Sequence, residues 1–257
     1  MIEHAQYIAY MTIVRKEVTR VLRIWPQTLF PPVITQTLYF LIFGKFIGSQ
    51  IRDIHGISYM SFIIPGLVMM TVINNSFMNV VSSFFSSKFQ RSIEELLVSS
   101  TSNKIIIAGY VTGGVVRGII VGFLVFLVSI LFTRPQIHNL GIVFSFVLLT
   151  AIVFALGGLL NAIFAKKFDD ISIFPTFIMT PMIYLGGVFY SIDNLPPFWR
   201  MLSKLNPVLY MVNGFRYGFH GFSDVNVLVS FMILVVFAMI LTAVNLVLLG
   251  RGTGLKT

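Results

Sequence analysis

The sequence predicts an all-α membrane protein. Six transmembrane helices are expected, with an amphipathic surface helix at the N-terminus, a second amphipathic helix after span two, and a re-entrant extracytoplasmic hairpin before span six. Three observations carry this. Of 257 residues, 56% are hydrophobic and only 11% charged, against about 45–50% and about a quarter in ordinary globular chains. Mean hydropathy over the whole chain is +0.90, so the apolar residues must face lipid or one another. They also fall into runs of about twenty or more, the length that crosses a hydrocarbon layer of about 30 Å. No stretch is left for a folded soluble domain, and residues 1–257 read as a single transmembrane domain.

Residues 1–25 do not read as a signal peptide, because Arg15, Lys16, Glu17, Arg20 and Arg23 interrupt the apolar run. Tyr7, Met11, Val14, Val18, Val21 and Trp25 recur at spacings of three and four, with Lys16, Arg20 and Arg23 opposite. That pattern predicts a helix lying along the membrane surface. The first span is expected at 28–48, with Pro31 and Pro32 near its start, where missing amide donors cost least. The second is expected at 59–82. Over 83–101 Phe85, Phe89, Ile93 and Leu97 appear every fourth residue among Lys88, Gln90, Arg91, Glu94 and Glu95. This predicts one amphipathic helix, too charged to span. Further spans are expected at 105–132, 140–165, 171–190 and 227–250. The connection 191–226 holds Pro196, Pro197, Phe198, Trp199, Leu202 and Leu205, too apolar for a solvated loop, and reads as a hairpin dipping into the membrane.

The net charge of +9 is a matter of topology rather than of nucleic acid. With the N-terminus inside, cytoplasmic segments hold eleven of the eighteen Lys and Arg (Arg15, Lys16, Arg20, Arg23, Lys88, Arg91, Lys104, Lys166, Lys167, Arg251, Lys256). Outside segments hold five (Arg52, Arg134, Arg200, Lys204, Arg216), and Lys45 and Arg117 fall within spans. The bias places both termini in the cytoplasm.

All nine acids, from Glu3 and Glu17 to Asp224, and all four histidines fall outside the expected spans. A proton relay and a buried metal cluster are therefore not expected. There is no cysteine, which removes thiolate chemistry. The phosphate-cradling pattern G-x-x-x-x-G-K-[ST] is absent: Gly44-Lys45 is followed by Phe46. The chain is not expected to be an enzyme or to hold a cofactor. Arg117 lies twelve residues into span three, about 18 Å along it, where it could snorkel, pair with a buried partner or touch substrate. Gly114, Gly118 and Gly122, spaced by four, predict close packing of another helix, with Gly157 and Gly158 as possible counterparts. Asn75, Asn79 and Ser83 share one face of span two, and Thr176, Thr180 and Tyr184 one face of span five. Either stripe could hydrogen-bond between helices or line a path.

The basic N-terminal helix, the six spans, the segment Phe89-Gln90-Arg91-Ser92-Ile93-Glu94-Glu95-Leu96-Leu97 and the hairpin ending Asn206-Pro207-Val208-Leu209-Tyr210 before Arg216 resemble the ABC-2-type permeases. Leu185-Gly186-Gly187-Val188-Phe189-Tyr190 and Leu195-Pro196-Pro197-Phe198-Trp199 point to the bacterial inner-membrane subgroup that includes drug-resistance and lipo-oligosaccharide exporters. The resemblance covers nearly the whole chain. It implies a half-transporter that pairs with a copy of itself and with two separate ATPase subunits, which bind ATP and Mg. It also implies that Phe89, Gln90, Arg91, Glu94 and Glu95 form a coupling helix seated in an ATPase cleft, supported by Arg15, Arg20 and Arg23. The resemblance further implies a cavity on the dimer axis, for which Gln36, Asn75, Asn79, Thr180 and Tyr184 are the candidate lining. A self-contained channel or ion-driven carrier is the alternative, motivated by the polar second span.

Overall fold

A computed structural model describes residues 2–51, 53–54 and 56–254; Arg52, His55 and Lys256, used in the counts above, lie outside the described residues. Among the described residues the chain is helical, with no strand beyond an isolated bridge between Ile54 and Ile57 ahead of the second span. Five helical stretches are long and apolar enough to cross a membrane: Trp25–Gln50, Tyr59–Phe89, Asn103–Ser129, Leu140–Phe164 and Val227–Arg251. In order, the helices are α1 (Ile2–Arg23), α2 (Trp25–Tyr39), α3 (Tyr59–Phe89), α4 (Ser92–Val98), α5 (Asn103–Ser129) and α6 (Leu140–Phe164). After these come α7 (Asp170–Phe174), α8 (Thr180–Leu185), α9 (Pro197–Lys204), α10 (Pro207–His220) and α11 (Val227–Arg251). Wider π-helical turns extend α2 over Phe40–Ile47 and join α7 to α8 over Pro175–Met179.

Local sequence explains the boundaries. Ser58, Ser102, Asn139, Asn206 and Asn226 each accept an amide hydrogen bond at a helix start. Gly221 and Gly252 close α10 and α11 with φ of 74° and 64°, a conformation that costs glycine nothing.

The bundle is built around α3, whose residues are mostly buried. Helix α5 packs on one side, where a methyl at Gly114 would sit 2.6 Å from Val80 Cγ2 and 2.9 Å from the Ser76 carbonyl, and one at Gly122 2.6 Å from Val72 Cγ2. At Gly118 the added carbon would overlap the Ser76 hydroxyl. The glycine row thus faces α3, not Gly157 and Gly158. Gly158 also meets α3, since a methyl added there would sit 2.5 Å from the Phe77 carbonyl. Contact at this distance is what joins helices in lipid, where apolar surface alone gives no driving force.

Four expectations change. The single helix expected at 83–101 is two pieces: Ser83–Phe89 complete α3, the chain turns at Gln90 and Arg91, and α4 follows. Arg91 takes a left-handed φ of 61°, and a four-residue spacing cannot tell a continuous helix from one broken there. Where a span was expected at 171–190 there is a shorter apolar helical stretch, Asp170–Leu185, which is not among the five long enough to cross, about 24 Å at about 1.5 Å per residue. Pro175, Pro181 and the Gly186-Gly187 turn limit it. Glu17, expected on a surface helix outside the spans, is fully buried. The inward face of α1 is Ile13, Glu17 and Val21, whereas Tyr7, Met11 and Trp25 are exposed. The connection 191–226 forms α9 and α10, and α10 is buried along most of its length against α6, α3 and α11.

Candidate functional site

At the end of α3 that the charge count assigns to the cytoplasm, Phe89, Gln90, Arg91, Glu94 and Glu95 are all exposed on one short projection. Buried Ile93 anchors it. The Phe89 ring lies 4.9 Å from that of Phe168, which lies 4.9 Å from that of buried Phe85. The loop after α6 therefore joins this projection, and Phe168 belongs to the same surface. Lys88, which the sequence pattern placed on a solvated face, is buried. Its Nζ donates to the carbonyls of Ile163 (2.8 Å) and Ala165 (2.6 Å), capping the C-terminus of α6 where a cation is favoured. In the loop that follows, Asp170 accepts from the amides of Lys166 (2.8 Å) and Lys167 (3.0 Å), which hold its carboxyl below the usual carboxylate range.

Beside this projection, α1 is fastened to α3 by a polar seam. Gln6 donates to the Ser100 carbonyl (2.6 Å) and accepts from the Ser102 amide (2.9 Å), tying the start of α1 to the α4–α5 connection. Lys16 Nζ donates to Ser87 Oγ at 3.2 Å, and Tyr110 donates to the same hydroxyl at 3.1 Å. Ser83 donates to Glu17 Oε1 at 2.5 Å. Arg20 Nη2 lies 3.1 Å from Glu17 Oε2 and donates to the Asn79 carbonyl (3.0 Å) and to Asn79 Oδ1 (2.8 Å). The Asn79–Ser83 stripe predicted from the sequence is thus the face that receives α1. Asn75 is also buried and donates to the Thr71 carbonyl of its own helix at 2.9 Å.

The other path candidates lie elsewhere. Tyr184 is exposed and its hydroxyl is 3.3 Å from that of Tyr39, beside the rings of Phe43 and Phe189. Thr180 is exposed and donates to the Pro175 carbonyl at 2.9 Å. Gln36 is buried, its Oε1 without a hydrogen-bond partner. Of the coupling candidates on α1, Arg15 and Arg23 are exposed, while Arg20 turns into the bundle.

At the opposite end, Arg216 on α10 is fully buried. Its Nη2 donates to the Gly187 carbonyl at 2.6 Å and its guanidinium carbon stacks 3.9 Å from the centre of the Phe62 ring. His220 lies 3.0 Å from the Ser61 carbonyl, and burial lowers its pKa. Among the described residues no group of three His, Asp or Glu could hold a metal ion.

This architecture of a central helix, a projecting broken turn and a buried α10 coincides with a family match. Residues 8–220 match the family model of the ABC-2 type transporter. The chain belongs to the ABC-2 type transporter family. It is 56% identical over 254 residues to the inner membrane transport permease YadH of Escherichia coli strain K12, covering 99% of each chain. More distant similarity extends to nodulation protein J of Neorhizobium galegae, 21% identical over 76% of this chain and 74% of that one. The same protein of Sinorhizobium fredii is 26% identical over 70% and 68%. As a member of this family the chain is a multi-pass permease of an ABC transporter. It is the transport component rather than an enzyme, and its family implies an ATPase partner.

Proposed function

We infer that this ABC-2 permease is one half of an ATP-driven exporter of the bacterial inner membrane, with both termini cytoplasmic. Two copies form the path and each engages a separate ATPase subunit that binds ATP and Mg. The observation that carries this reading is the exposed projection Phe89–Glu95 at the end of the most buried helix, with Phe168 beside it. A body that binds there gains a lever: α3 packs on α5, α6 and α10 and is hydrogen-bonded to α1, so a push on the turn reaches these four helices. ATPase closure then favours the outward-open arrangement by binding it more tightly. Arg15 and Arg23 flank the same partner, and Gln36, Thr180 and Tyr184 line the path, whereas Asn79 is taken up by the seam with α1 and Asn75 bonds within α3.

Purification of the chain from its native membrane in mild detergent should recover a stoichiometric ATPase, with about two copies of each subunit. Glu94→Ala with Glu95→Ala should leave insertion intact and separate ATP hydrolysis from transport. A homo-oligomer without ATPase would overturn the reading.

A further inference from the structure

The last turn of α3, just ahead of the break at Gln90 and Arg91, is tied to three other helices at once. Ser87 Oγ accepts from Lys16 of α1 and from Tyr110 of α5. The Ser87 carbonyl accepts from the Ser92 hydroxyl at 3.1 Å, across the break. Lys88 reaches the third helix, α6, through the carbonyls of Ile163 and Ala165. The turn after α11 arrives at the same place, since a methyl at Gly254 would sit 2.6 Å from the Ile163 carbonyl. One ammonium therefore stands where α3, α6 and the end of α11 converge, and the next residue is Phe89 of the projection.

This contact fixes position more than it adds stability. Lys88 is buried, and taking an ammonium out of water costs much of what its hydrogen bonds return. The last carbonyls of a helix have no partner within it, and donating to two of them, at 2.8 and 2.6 Å, sets both the distance and the direction between the ends of α3 and α6. Among the described residues no other side-chain hydrogen bond joins these two helices; elsewhere they meet by close packing, as at Gly158 and Phe77. Packed helices can slide past one another by small shear. A bond to two carbonyls cannot follow such a slide without breaking. Helix α6 then carries the link onward, because its other end meets α10, where a methyl at Gly218 would sit 2.7 Å from Val143 Cγ2.

We propose that Lys88 is a positioning residue of the coupling step: its ammonium locks the last turn of α3 to the end of α6, so that a partner seated on the Phe89–Glu95 projection moves α3 and α6 as one body. Helix α1 is moved separately, through Lys16 and Arg20. This rests on the permease reading and adds the residue by which the projection grips α6. Coupling between distant sites runs through hydrogen bonds and rigid helices of this kind, and α6 is 25 residues long, from Leu140 to Phe164.

The test needs no substrate. The chain has no cysteine, so a spin label can be placed singly by Leu140→Cys, at the exposed start of α6 away from Lys88, or by Tyr7→Cys, on the exposed face of α1. Each reports the distance between the two copies in the complex of permease and ATPase. A non-hydrolysable ATP analogue with Mg should shift both distances in the chain with Lys88 intact. With Lys88→Met the shift at Leu140 is lost and the shift at Tyr7 is kept. Lys88→Arg, which keeps the charge and its donors, restores at least part of the Leu140 shift. Where Lys88→Met does not assemble with the ATPase, Lys88→Gln, which keeps donors without charge, is read in the same way. An undiminished Leu140 shift in Lys88→Met or Lys88→Gln overturns the proposal, and so does loss of both shifts in an assembled complex. No shift at either label with Lys88 intact, or no ATPase in the complex, overturns the permease reading and the proposal with it.

Discussion

The protein draws a guanidinium into each end of the bundle, Arg20 in part and Arg216 completely, and holds the two differently. Arg20 meets a carboxylate, an amide side chain and a backbone carbonyl across two helices, α1 and α3. Arg216 is held by one carbonyl of the Gly186-Gly187 turn and by the face of Phe62, with Asp224 within electrostatic reach. The first arrangement is a seam of several hydrogen bonds between elements that also adjoin the Phe89–Glu95 projection. The second is a single pin between α10 and the Gly186-Gly187 turn, stacked on an aromatic ring that fixes its orientation. A seam suits a joint that transmits motion; a pin suits a part that stays closed.

The sharpest way to break this contrast is at the pin. Arg216→Met should destabilise the packing of α10 by about 1.5–3 kcal/mol, through loss of the charge-assisted hydrogen bond to the Gly187 carbonyl and of the stacking on Phe62. Arg216→Lys should recover only part of that, since an ammonium cannot stack as a plane on Phe62. Thermal unfolding in detergent measures both, and wild-type stability in Arg216→Met would remove the pin from the account. Next in size is Gly118→Leu, which forces α5 off α3 where Ser76 leaves no room and should cost about 1–3 kcal/mol or more by overpacking. Proteolysis of the membrane-embedded protein should reveal it.

At the seam, Glu17→Gln should cost about 1.5–3 kcal/mol through weakened hydrogen bonds from Ser83 and Arg20. Glu17→Gln and Arg20→Gln should be strongly non-additive, while Glu17→Gln and Arg216→Met should add, because no partner is shared. Additivity within the seam would show that Glu17 and Arg20 do not act as a unit.

The smallest effect distinguishes the ends by pH. His220 has a folded pKa below its ordinary 6.5 because burial disfavours its charged form. The stability it contributes is present above about pH 6.5 and is lost as pH falls. Asp170 is likewise lowered, from 3.8, by the amides of Lys166 and Lys167, so its contribution persists until more acidic pH. Hydrogen exchange followed from pH 7 to 4 should loosen the α10 end first, and His220→Gln should abolish that early loosening.

Much of the fold was legible because composition and periodicity report the solvent around each element. Runs such as 140–165 and 227–250 can only be lipid-length helices, and the structure places α6 and α11 within a residue or two of them. The break at Arg91 was hidden, because Phe89 and Ile93 keep their spacing on either side of the left-handed turn. Lys88 and Glu17 were hidden for a related reason. A charge in an amphipathic pattern looks solvated until a carbonyl or a hydroxyl of another helix is brought to it.

The sequence alone determined that the chain lives in a bilayer, which stretches are helical, and that its acids are too few to neutralise its cations. It also placed the glycine row and the polar stripe of α3 on their faces, since a helix fixes which residues share a side. Only the tertiary structure decided what meets those faces. Between helices in lipid the pairing is set by close backbone approach and by specific polar contacts rather than by hydrophobicity. A one-dimensional pattern therefore cannot say that Asn79 receives Arg20 or that Gly118 receives Ser76.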